Sequence, residues 1–287
     1  MTTSAARLRR LLDQPGLLIM PCCFDALSAR LIEQAGFRLA FMSGFAVSAA
    51  KIGRPDLGLI SYGEMLDQAR DVCSSVSLPV LGDGDTGYGN ALNVKRTVRG
   101  YAQVGLAAVM IEDQIAPKRC GHTRGKQVVE RAEAVTRVRA AVDARDAGAD
   151  ILIIARTDAR ATHGFEEALA RVREFEAAGA DILFLEAPES VDEMRQFCSS
   201  VKRPALCNML EQGKTPILPP SELERLGFKI AAYPLTLLNA AIAGMQRALI
   251  AIAQGAPADG LLGFEELRRV VGFEEYYAEE QRYASPK

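Results

Sequence analysis

Short apolar runs alternate with longer amphipathic ones along almost the whole chain. The runs fall at residues 17–20, 39–42, 78–81, 107–111, 151–155, 182–185, 205–207 and 230–232. They are apolar throughout, which is the pattern of parallel strands covered on both faces rather than of a half-exposed sheet. Each is followed by a stretch with helical spacing, at 26–35, 62–73, 91–104, 130–147, 165–178, 191–199, 221–226 and 235–253. Gly36, Gly105, Gly148, Gly179 and Gly227 stand where such helices need a left-handed stop. The opening stretch, residues 1–12, carries three Arg before its first acid. Core-like sequence begins near Leu17, so this stretch predicts a short capping helix rather than a cleaved leader.

Eight strand–helix units in 287 residues predict a (β/α)8 barrel. A doubly wound open sheet is the competing architecture. The count of eight, and the polar residue that ends nearly every run, favour the barrel. No linker divides the chain. Residues 1–255 are read as the barrel and 256–287 as a C-terminal helical extension, with an acidic, Tyr-rich helix at 264–283. Its apolar and aromatic groups exceed what a lone surface helix carries, so it packs either on its own barrel or on a neighbouring subunit.

In a barrel the C-terminal strand ends converge on one site. That gathers Asp25, Ser43, Asp83, Asp85, Glu112, Arg156, Glu186, Asn208 and Tyr233. Gly82-Asp83-Gly84-Asp85-Thr86-Gly87 matches the spacing of a dinucleotide loop, but two carboxylates would face the pyrophosphate and no acid follows at ribose distance. Two acids at strand-end spacing, joined by Glu112 from the next strand, suit a hard cation such as Mg²⁺, since three close carboxylates otherwise repel. The alternative is that Asp83 and Asp85 cap the following helix. Ser43-Gly44-Phe45-Ala46 can cradle a carboxylate or phosphate with its N–H groups and hydroxyl, or be a plain strand-to-helix turn. Arg156 offers a fork for an oxyanion, or pairs with Glu186 or Asp158. His163 has no evident partner and reads as a surface residue.

The segment Pro117-Lys118-Arg119-Cys120-Gly121-His122-Thr123-Arg124-Gly125-Lys126 joins four cations, a thiol and one of two histidines. It opens straight from the apolar run that ends in Glu112-Asp113. A thiol among cations is expected to have a lowered pKa and to serve as acid or nucleophile. The other reading is a solvated basic loop.

Composition narrows the class. A net charge of −2 argues against nucleic acid as the partner. No apolar run approaches the about 20 residues of a membrane span. Six Cys, at 22, 23, 73, 120, 198 and 207, show neither zinc spacing nor a disulfide framework, which predicts reduced thiols in the cytoplasm, five of them buried.

Taken together, Ser43-Gly44, the stretch 82–90, Ile111-Glu112-Asp113-Gln114, Pro117 to His122, Ala155-Arg156-Thr157-Asp158 and Asn208-Met209-Leu210-Glu211 resemble the isocitrate lyase/phosphoenolpyruvate mutase superfamily. The resemblance spans nearly the whole chain, and within the superfamily it runs towards the short lyases of the 2-methylisocitrate, dimethylmalate and petal-death types. It implies a barrel enzyme forming homotetramers, as dimers of pairs that swap the C-terminal helix. It implies Mg²⁺, or Mn²⁺, on Asp83, Asp85 and Glu112, held mostly through water. Ser43, Gly44 and Phe45 would hold a substrate carboxylate, with Asp56, Gly121, Asn208, Glu211 and Pro234 also facing the substrate. Cys120, Lys118, His122, Arg156 and Glu186 would carry the chemistry. The implied activity is cleavage of the C2–C3 bond of a 2-hydroxydicarboxylate, a di- or tricarboxylate substrate. A phosphomutase acting on P–C bonds, or an oxaloacetate hydrolase or decarboxylase, is the alternative within the same superfamily. Two departures stand out. Arg119 replaces a frequent Lys before the Cys, and Gln212 replaces a frequent Gly after Glu211.

Overall fold

Eight parallel strands close into a barrel in chain order, β1 (Leu18–Cys23), β2 (Ala40–Met42), β3 (Val80–Asp83), β4 (Ala108–Glu112), β5 (Leu152–Thr157), β6 (Ile182–Leu185), β7 (Ala205–Asn208) and β8 (Phe228–Tyr233). β8 returns to β1, with Ile230 opposite Leu18, which rules out the open sheet. The structure is a computed structural model and describes residues 2–120 and 125–284. It divides into two compact units, residues 1–238 and 239–287.

The strands look uniformly apolar in sequence, yet they sort into two cores. Met20, Leu81, Met110, Ile154, Phe184, Leu206 and Ile230 belong to one buried cluster. Their neighbours Val80, Val109, Ile153, Leu183, Ala205 and Ala231 belong to the other, together with helix residues such as Val98, Val138 and Phe175. The period is two, so the first set fills the barrel and the second faces the helices. Ala5 and Leu8 join the inner cluster. The helix Ser4–Asp13 therefore plugs the barrel beside the strand beginnings, as the capping helix expected there.

Local chemistry explains the helix starts. Asp25 caps Ala26–Gln34 in a reciprocal box with Ser28, and Ser61 does the same with Glu64 for Tyr62–Ser75. The helix Ala91–Gln103 is capped by Asn90. This removes the reading of Asp83 and Asp85 as caps and frees them for the barrel mouth. After β2 the chain makes a short helix, Gly44–Val47, so Ser43-Gly44-Phe45-Ala46 is a strand-to-helix turn with Ser43 as the N-cap.

In the second unit, the single helix expected over 264–283 is two, Phe264–Val271 and Phe273–Tyr283. Gly272 between them has φ 91°, a left-handed position that ends the first helix. The expectation of no membrane-length segment also needs correction. The helix Thr236–Ala253 has 18 residues, a mean hydropathy of 1.4 and is 6% buried, enough by length and composition alone to cross a membrane. Asn239, Gln246 and Arg247 interrupt the apolar run in sequence, and only the helix joins its parts.

Candidate active site

The inward period continues past the last apolar residue of each strand. Leu81 leads to Asp83, Met110 to Glu112, Ile154 to Arg156, Phe184 to Glu186, Leu206 to Asn208 and Ala232 to Pro234. Two-residue steps put each of these on the barrel axis at the C-terminal mouth. There they line one cavity of about 60 Å³. Ser43, Phe45, Asp56, Lys118 and Cys120 line it as well. Its floor is Met20, Phe41, Met110 and Leu206, residues that sequence reading treated only as core. The signal was there in the period of two, which the uniformly apolar runs hide.

Asp83, Asp85 and Glu112 are 7%, 4% and 3% exposed. Asp83 is fixed twice: its Oδ2 accepts the Gly44 amide at 3.2 Å and its Oδ1 accepts the Asp85 amide at 3.0 Å. A Cβ on residue 44 would lie 2.5 Å from that Oδ2, so the glycine permits the approach. A Cβ on residue 84 would lie 2.7 Å from the Met110 carbonyl, which is why the loop hugs β4. Asp85 adopts φ 48°, a left-handed strain tolerated by Asp and typical of functional turns. It lines a neighbouring cavity beside Tyr62 and Tyr88 rather than the one above the barrel axis. Between the two cavities stands Lys118. Its Nζ lies 2.7 Å from Asp56 and 2.9 Å from Asp85, with all three side chains buried.

Burial pushes the Asp85 carboxyl up to about 7; Lys118 pulls against this, while Asp83 and Asp56 add to it. Glu112 is likewise raised by burial, against the pull of Arg156. Burial alone would lower Lys118, but Asp85, Asp83 and Asp56 lift it well above the ordinary lysine range. Glu112 Oε1 is buried with no hydrogen-bond partner. An orphaned carboxylate oxygen and acids held partly neutral by burial are a donor set short of positive charge, and they fit a divalent cation. Among the described residues no three His, Cys, Asp or Glu side chains converge tightly enough to hold an ion by themselves.

Arg156 is the other charged centre. Its guanidinium reaches Glu186 at 3.0 Å, Glu112 at 3.3 Å and Asp158 at 2.9 Å, and it lies 5.3 Å over the Phe184 ring. Both partners that sequence offered are therefore engaged at once. Asn208 donates to Glu186 at 3.1 Å. Asp113 takes the Thr157 hydroxyl at 2.6 Å and Arg171 at 3.0 Å, and holds the Asp158 amide at 2.9 Å. This buried layer, with Lys126 on Asp158, was not anticipated as part of the site.

Gln114 pins the approach to Cys120, donating to the Arg119 carbonyl at 2.8 Å and accepting its amide at 2.9 Å. Cys120 is half-buried at the cavity wall. The other thiols are raised by burial, Cys73 and Cys198 to about 12, which leaves them inert at neutral pH. Of these five, Cys73 and Cys198 are half-buried rather than buried. Gly121 and His122 lie outside the described residues. Gly44 spends its amide on Asp83, and Ser43 Oγ accepts the Ala46 amide at 3.4 Å while facing the cavity. Glu211 is exposed, away from the cavity wall, and accepts the Thr236 hydroxyl at 2.6 Å. Gln212 beside it has φ 61°, where a glycine would be unstrained. His163 is exposed and its Nδ1 lies 2.8 Å from the Thr162 hydroxyl, as expected of a surface residue.

Residues 8–253 match the phosphoenolpyruvate phosphomutase family. The chain is 41% identical to the chloroplastic carboxyvinyl-carboxyphosphonate phosphorylmutase of Arabidopsis thaliana, over 97% of this chain and 84% of that protein. It is 39% identical to 2,3-dimethylmalate lyase of Eubacterium barkeri, over 98% and 99% of the two chains. A crystal structure of 2,3-dimethylmalate lyase superposes with a TM-score of 0.93 at 40% identity, covering 99% of this chain and 97% of that one.

Proposed function

Because the chain belongs to the phosphoenolpyruvate phosphomutase family, within the isocitrate lyase/phosphoenolpyruvate mutase superfamily, we propose that it is an oxo-acid lyase. It cleaves the C2–C3 bond of a 2-hydroxydicarboxylate of the alkylmalate, dimethylmalate or 2-methylisocitrate type. One observation carries this reading: a thiol, Cys120, shares a cavity with Arg156 and with carboxylates arranged for a cation. Bond cleavage of this kind needs an oxygen anion stabilised at one carbon and a proton delivered to the other.

Ser43 and the Phe45 amide hold the substrate carboxylate. Asp83, Asp85 and Glu112 would hold Mg²⁺, which supplies Lewis-acid stabilisation of substrate oxygens. Glu186 takes the proton of the 2-hydroxyl, while Arg156, 3.0 Å from it, faces the oxygen that becomes negative. The oxygen's electron pair closes the carbonyl, the C2–C3 pair moves to C3, and an α-oxo acid leaves. The carbanion at C3 is spread into its carboxylate and takes the Cys120 proton. The thiolate recovers a proton from Glu186 or water. The Met20, Phe41 and Leu206 floor keeps bulk water from the carbanion.

The rival is P–C bond chemistry, which the name of the Arabidopsis relative keeps in play. A coupled assay for pyruvate or glyoxylate across a panel of 2-hydroxydicarboxylates separates the two. Oxo-acid release that disappears with EDTA and returns with Mg²⁺ is expected. Turnover confined to phosphonates or oxaloacetate would replace the lyase reading with one of its superfamily rivals.

The working form is a homotetramer of helix-swapped pairs in the cytoplasm, with free thiols and no nucleic-acid or membrane partner. Ile242, Met245, Leu249, Ile250 and Ile252 support the subunit contact, because they leave one helix with an exposed apolar face. Light scattering is expected to give about four times the 31.0 kDa chain mass. A monomer at micromolar concentration, or recovery in detergent-extracted membranes, would contradict it.

A further inference from the structure

Lys126 takes no part in the reaction as drawn, yet its side chain is only 1% exposed. The backbone dictates where it points. The Ile115 amide donates to Gln127 at 2.9 Å, Gln114 bridges Val128 antiparallel, and the Val129 amide donates to Asp113 at 2.9 Å. Residues 126–129 therefore run back along 113–115, and the Lys126 side chain is buried against Asp158. Its Nζ lies 2.7 Å from Asp158 Oδ1.

Asp158 is held at its backbone and at its carboxylate. Its amide is held by Asp113, and its carboxylate grips Arg156 with Oδ2 to Nε at 2.9 Å and Oδ1 to Nη2 at 3.2 Å. Neither Lys126 nor Asp158 lines the cavity; Arg156 does. Three carboxylates thus compete for one guanidinium, Asp158 from behind and Glu112 and Glu186 from the cavity side. A buried ion pair is seldom the cheapest way to stabilise a fold, so a second cation here calls for another role. Lys126 shares the charge of Asp158 Oδ1 and weakens its hold on Arg156.

We infer that Lys126 is a positioning residue that, acting through Asp158, keeps the Arg156 guanidinium at the cavity, where the oxygen anion develops. The inference rests on the lyase reading. In Lys126→Met, kcat is expected to fall about 10- to 100-fold with KM within about threefold, because misplacement of an anion-stabilising group is felt in the transition state. Lys126→Arg keeps a cation on Asp158 and is expected to recover most of kcat. The Arg156 Nε–H resonance of arginine-labelled protein, assigned by its loss in Arg156→Lys, is expected to shift in Lys126→Met without any substrate. A folded Lys126→Met with kcat within about twofold of the parent, or with an unmoved Arg156 resonance, overturns the inference. If that variant does not fold, Lys126→Met with Asp158→Asn leaves no orphaned charge. Because the Asp158→Asn side chain no longer competes for Arg156, a kcat in this double variant within about threefold of that of Asp158→Asn alone then upholds the relay, and a kcat at least about 10-fold lower than that of Asp158→Asn refutes it. Should the parent itself release no oxo acid from any substrate, the lyase reading fails, and the resonance alone decides the role of Lys126.

Discussion

Replacing Cys120 with alanine is expected to slow turnover by about 10²- to 10⁴-fold while leaving substrate affinity nearly unchanged, the usual worth of a positioned proton donor. The thiol lines the cavity with Arg156 and Glu186 and is the only cysteine there among the described residues. The other five, with thiols raised by burial, cannot substitute for it. Cleavage of the C2–C3 bond leaves a carbanion beside a carbonyl carbon, and without prompt protonation the two recombine. The loss therefore falls on kcat, since Cys120 adds little to holding the ground state. Steady-state kinetics on a cleavable substrate, with a melting curve to certify folding, measure it. Turnover of a folded Cys120→Ala within about threefold of the parent would assign the proton to another group.

The second large effect concerns the acids. Adding Mg²⁺ to EDTA-stripped protein is expected to raise the melting temperature, and by more at pH 8 than at pH 5. Burial lifts the Asp85 carboxyl from 3.8 to about 7 in the folded chain. An acid raised in this way favours its protonated form in the fold. In the ion-free protein its contribution to stability is unimpaired below the unfolded value, declines as pH climbs through the window from 3.8 to about 7, and is flat above. Glu112, raised in the same direction, widens that loss. A cation needs the ionised forms, so its stabilisation is smallest where protons occupy these sites and full above about pH 7. At 100 times its dissociation constant the ion contributes about 2.7 kcal/mol, or roughly 5–10 °C for a unit of this size. Thermal scans from pH 5 to 8.5 with and without MgCl₂ read this directly. A shift independent of pH, or no shift, would remove the acids from the cation site.

Much of this was legible beforehand. Eight apolar runs and their closing glycines specify the barrel, because each αL stop and each buried strand is a local property of a few residues. Asp83, Glu112 and Arg156 could be grouped in advance, because barrel topology gathers strand ends whatever the sequence between them. Glu211 shows the limit of motif reading: it stands one position beyond a cavity residue, Leu210, yet its carboxylate accepts the Thr236 hydroxyl instead. Asp85 shows another, since φ 48° turns it off the β3 axis and hands it to Lys118. Gly272 split a helix that spacing alone had joined.

The sequence by itself determined the strand count, the polar strand ends and the family, since these follow from periodicity, turn chemistry and local motif, while closure of the sheet rests on the pairing of β8 with β1. Only the tertiary structure decided which cations meet which acids. Lys118 between Asp56 and Asp85, and Lys126 behind Asp158, are pairs separated by 62, 33 and 32 positions. Such pairing is set by where two distant segments dock and by how little water remains between them, and neither quantity is written in the residues of either segment.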